Sequence, residues 1–173
     1  MVSALHGERE HRVIVVDGGT RAWHRWRLAR PFLVIGAIAI VSGGLVAAAT
    51  RPLDLELGPW LAAFLVLVVG VAQITLGGGQ VAMAEEPPTN GVVWTEALLW
   101  NGGVAMTVLG TYGEQPLVTT LAAIPTIAAL VLFASAGSGS QGPRWLQVSH
   151  RAFVLVILVS VPIGVALAWS RHG

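Results

Sequence analysis

Glu96 is the residue in this sequence best placed to do chemistry, because it is a carboxylic acid inside an otherwise uncharged, largely apolar run over residues 92–112. An ionisable side chain in such a run is expected to face other helices, either making a helix-packing hydrogen bond near the headgroups or handling a proton or a ligand. Amides accompany it. Gln73 and Gln80 lie in the preceding apolar run, Asn101 follows five residues after Glu96, and His150 stands near the start of the last run. These five, Gln73, Gln80, Glu96, Asn101 and His150, are the candidate intramembrane polar cluster.

Spacing assigns most of them to faces. Gly70, Gln73, Gly77, Gln80 and Ala84 recur every three or four residues, as do Glu96, Trp100, Gly103, Thr107 and Gly110. On α-helices each set forms one stripe of small and polar groups. Two such stripes are expected to face one another, since small residues let backbones approach in lipid and amides bond across the contact. Gln80 lies about three residues from the end of its run and Glu96 about four from the start of the next, each roughly 5 Å below the surface. A direct Gln80–Glu96 hydrogen bond is predicted, with desolvation disfavouring the carboxylate. Five residues turn a helix through about 140°, so Asn101 is expected to look toward a third helix. His150 would reach Glu96 if the third and fifth helices were neighbours.

The remaining chemistry is sparse. With no cysteine there is no disulfide, thiolate metal site, iron–sulfur cluster or cysteine nucleophile. Haem held between two histidines needs a second intramembrane imidazole, yet His6, His11, His24 and His172 all fall outside the apolar runs. His6 and His11 could bind a metal, but a spacing of five in the N-terminal segment is weak support for a site. No catalytic, cofactor-binding or metal residue is therefore assigned, and an enzyme reading would rest on Glu96 with His150 alone. The stretch from Glu96 to Gly103 resembles helices of haem–copper oxidase subunits in its tryptophan–asparagine pair before glycine. That resemblance covers one helix, and without the histidines of oxidase chemistry it implies no active-site residue.

The elements carrying these residues follow from composition. Of 173 residues 54% are hydrophobic and 11% charged, against about 45–50% and 25% in soluble domains. Nine of the nineteen charged side chains fall in the first thirty residues, so the rest of the chain has too few to coat a surface in water. The expected fold is all-α, an integral membrane bundle of about five transmembrane helices. Their expected spans are about 31–49, 59–83, 92–112, 117–136 and 145–169, after a basic cytoplasmic segment 1–30 and before a short tail 171–173. Pro31 is read as the first residue of its helix, and Val13–Val16 before Asp17, Gly18 and Gly19 as a strand-like piece ending in a turn. Residues 137–143 read as a flexible loop. Pro125 and Pro162 each free a carbonyl four residues earlier, with Thr126 and Ser160 placed to help satisfy the backbone. Ala47–Ala49 could mimic a signal-peptidase site, but the polar leader is too long for a signal peptide.

All ten basic residues are arginine, and Arg25, Arg27 and Arg30 interleave with Trp23 and Trp26 in a pattern suited to lipid headgroups. Five crossings from a cytoplasmic N-terminus put eight arginines inside and only Arg51 and Arg171 outside, which sets the expected orientation in a bacterial plasma membrane, with the C-terminus outside. A net charge of +1 gives no footing for nucleic acid. Short loops leave little surface for chemistry, so the first expectation is a non-catalytic accessory or assembly component of a membrane complex. Its partners would be the bilayer and either a larger complex or a second copy. The rival is a small proton-coupled transporter or carrier using Glu96 and the amides.

Overall fold

The computed structural model describes residues 2–84, 86, 88–136 and 144–170, with side chains of the first helix described at 23 and from 25 onward. The described residues form five helices: α1 (Val2–Thr50), α2 (Gly58–Met83), α3 (Asn90–Tyr112), α4 (Pro116–Ala136) and α5 (Arg144–Ser170). No strand occurs among the described residues. Each helix contains a span of 20 to 27 residues that is long and apolar enough to cross a membrane, in α1 the part Arg25–Thr50. Large apolar side chains such as Leu45, Leu98, Leu109, Ile124 and Leu155 are more than 60% exposed, an arrangement suited to hydrocarbon and ill suited to water.

Two expectations for α1 fail. The helix continues through Val13–Gly19, where a strand-like piece was read, and through Pro31, which is internal and not initial. An isolated strand would leave its N–H and C=O groups unpaired, whereas a helix pairs them within itself. Proline has no N–H to return to the Arg27 carbonyl, so it removes one bond without ending the helix. The loop read at 137–143 and the tail at 171–173 lie outside the described residues.

α1 packs along α2, α3 along α4, and α5 chiefly on α4. Glycines set how closely the first two pairs approach. A Cβ on Gly36 would fall 2.5 Å from Ile74 Cγ1 and 3.0 Å from the Gly70 carbonyl, and one on Gly77 would fall within the Phe32 ring. On α3, a Cβ on Gly103 or Gly110 would meet Thr126 or Thr119 of α4. The glycines of the two stripes therefore do not face each other: those of α2 seat α1, and those of α3 seat α4.

The reason lies in the winding of α2. Leu65–Ala72 and Ile74–Gly78 are π-helical, so a turn takes more residues and positions three or four apart drift off a common face.

Short connections fix the helix ends. Thr89 caps α3, its hydroxyl accepting from the Val92 N–H at 3.4 Å. Between α3 and α4, Glu114 takes the left-handed conformation with φ 52°, and the Gln115 N–H returns to the Gly110 carbonyl at 2.8 Å. Pro125 and Pro162 are both accommodated inside continuous helices. Thr126 and Ser160 donate to Ala122 and Ile157, one residue away from the carbonyls that the prolines free.

Candidate functional site

Phe133 of α4 gathers the helices around the buried polar groups. Its ring meets Phe32 of α1 edge-on at 5.8 Å and Trp100 of α3 at 6.0 Å, with all three rings fully buried. Such edge-to-face pairs add about 0.5–1.5 kcal/mol each beyond the area they bury. His150 of α5 donates from Nε2 to the Phe133 carbonyl at 3.4 Å. Donation from Nε2 leaves Nδ1 of a neutral ring as an acceptor. A Cβ on Gly79 would lie 3.7 Å from that nitrogen, so the imidazole sits against α2 one residue from Gln80.

Gln80 and Glu96 are fully buried and bonded, the Gln80 Nε2 donating to Glu96 Oε2 across α2 and α3. The stripes part at their glycines but meet at this pair. Gln80 Oε1 and Glu96 Oε1 have no protein partner. Both are acceptors when Glu96 is a carboxylate. A proton on Glu96 Oε1 supplies the donor that a second bond to Gln80 would need.

Gln73, about two turns deeper and set between the two π-helical stretches, is fully buried with neither amide atom partnered. Trp100 Nε1 and His150 Nδ1 are likewise unpartnered, which makes six buried polar atoms in five residues without a protein partner. An unbonded buried amide costs about 2–7 kcal/mol. Ordered water is the usual partner of buried polar groups of this kind.

Not every predicted member belongs to this arrangement. Asn101 is half-buried and donates from Nδ2 to the Ala97 carbonyl of its own helix at 2.7 Å, not to a third helix. The i−4 carbonyl is the nearest acceptor for so short a side chain. His150 makes no hydrogen bond to Glu96, because α5 packs on α4 and not along α3.

Trp100 and Arg25 were not singled out from sequence for these roles. Trp100 lies one turn beyond Glu96 on the same face, a spacing that already marked it as a neighbour. Arg25, read as a headgroup residue, instead donates to the Val81 and Ala82 carbonyls at 3.0 and 3.3 Å, closing the C-terminal end of α2. Among the described residues, no group of three or more His, Asp or Glu side chains could hold a metal ion.

An apolar cleft of about 400 Å³ adjoins this cluster, walled by Val68, Ala72, Trp100, Val104, Phe153 and Ile157. It separates much of α5 from α2 and α3.

Fold and cluster together define the class: an all-helical chain with five helices fit to span a membrane and a polar centre enclosed among them. Comparison with protein-family models, curated proteins and solved structures finds no match to any of them.

Proposed function

We propose that this chain is a small multi-pass protein of a bacterial plasma membrane, N-terminus inside and C-terminus outside, that couples a proton on Glu96 to the passage of a small polar solute. The observation carrying this reading is the enclosed Gln80–Glu96 pair, in which a second bond would require a proton, together with the unpartnered Trp100 and His150 and, two turns deeper, Gln73. Proton uptake closes the pair, and proton release frees two acceptors for a guest. A lone packing hydrogen bond would not call for the further unpartnered groups around it.

In liposomes, a gradient of at least one small polar solute from a panel of glycerol, urea and glycine is expected to drive proton movement through the purified wild-type chain, read as a change of internal pH that protein-free vesicles do not show. Glu96→Gln, which keeps the shape of the side chain and removes the acid, should fall to the protein-free rate while remaining folded. A folded Glu96→Gln variant with wild-type flux would overturn the reading.

A second reading, the accessory component of a membrane complex, is favoured by α5. Only 6% of its most apolar window is buried, against 22 to 39% in the other four helices. A helix so thinly packed has a face to offer a neighbouring protein. This reading expects a stable larger assembly on extraction from the native membrane in mild detergent. Recovery of a lone monomer in every mild detergent would remove it.

A further inference from the structure

The arginine-bearing end of the membrane-spanning part of α1, Arg25–Thr50, forms a second cavity with the start of α3. Arg27, Arg30 and Val34 stand on one face of α1, Asn90, Val93 and Trp94 on one face of α3, and together they bound a space of about 410 Å³. Its upper wall is cationic. Among the described residues neither Arg27 nor Arg30 makes a hydrogen bond or ion pair, and both are exposed. Glu86, in the connection on the same side, is exposed and unpaired with either.

Below the guanidinium groups the lining turns apolar over about two turns of helix, from Arg27 to Val34, roughly 10 Å. Val93, almost fully buried, lines its inner side and Trp94, 56% exposed, stands at its rim. The first turn of α3 adds the positive end of its dipole at the same level. Two fixed positive charges above an apolar lining match a molecule with an anionic head and a hydrocarbon tail.

We propose that this cavity binds one anionic phospholipid, its phosphodiester between Arg27 and Arg30 and the first methylenes of an acyl chain against Val34 and Val93. The inference rests on the membrane reading of the five helices and is independent of proton handling at Glu96. Guanidinium is suited to the role because its planar fork of N–H donors pairs with phosphate oxygens at two points. Free phosphate shares the head chemistry but gains nothing from the apolar lining.

The test uses the full chain in detergent with added lipid, counting retained phosphatidylglycerol and phosphatidylcholine by native mass spectrometry. The wild type is expected to retain phosphatidylglycerol over phosphatidylcholine by about tenfold or more, the scale set by two basic groups near an anionic headgroup. Arg27→Gln/Arg30→Gln should abolish the preference, whereas Arg51→Gln, at the opposite end, should keep it. Raising the salt concentration should weaken the wild-type preference without any substitution. Equal retention of both lipids by the wild type, an unchanged preference in the double variant, or displacement of the lipid by millimolar inorganic phosphate would each overturn the proposal. A chain that remains in aqueous buffer without detergent would instead defeat the membrane reading itself.

Discussion

Gly77→Val should destabilise the bundle by about 3 kcal/mol, the upper part of the range for overfilled cores. A Cβ at this position falls inside the ring of Phe32, which is fully buried and held edge-on by Phe133, so the ring has nowhere to turn. Relief requires α1 and α2 to separate along a seam where Gly36 and Gly70 already bring the backbones together. Shrinking the ring with Phe32→Leu should recover much of the loss. Unfolding in mixed micelles is therefore expected to show the double variant more stable than the sum of the single changes implies, by about 1–3 kcal/mol. Strict additivity would mean that the two side chains do not meet.

The second large effect concerns the Gln80–Glu96 pair. Gln80→Leu strands the Glu96 carboxyl in an apolar interior, and Glu96→Leu strands the Gln80 amide; each is expected to cost about 1–3 kcal/mol. Removing both partners together leaves no polar group to satisfy, so Gln80→Leu/Glu96→Leu should be more stable than either single variant. Glu96→Gln retains an acceptor for the Gln80 N–H and should be the mildest of the series. Measured unfolding free energies that fall monotonically from single to double variant would contradict the pairing. The same series separates structure from transport, since the double variant is expected to fold and yet carry no proton.

Much of this was legible in the residues. Long apolar runs broken by Glu86, Pro88 and Gly113 mark helices fit to cross a membrane, because charge and backbone-breaking residues are tolerated only between them. The Gln80–Glu96 contact follows from depth alone, since two residues a few positions either side of one connection lie at one level.

What sequence pattern could not carry was rotation about a helix axis. The spacing of Gly70, Gly77 and Gln80 assigns them one face on an α-helix, but π-winding in α2 turns the glycines to α1 and leaves Gln80 for α3. Winding is decided by tertiary packing and leaves no periodic mark. Asn101 misled for a simpler reason: a carbonyl on its own helix is closer than any neighbour. Pro31 and Val13–Val16 were read by local preference, which the backbone's need for internal pairing overrode.

The meeting of side chains at Phe133 has a mechanical consequence. One ring and its carbonyl tie together α1, α3, α4 and α5, so this half of the molecule acts as a stiff base. Toward the other end α5 borders the cleft and is moored to α4 by the indole of Trp169, which donates to the Thr120 hydroxyl at 3.0 Å. A swing of α5 about His150 that widens the cleft must therefore first break the Trp169–Thr120 bond, so the helix is latched at one end as well as hinged at the other.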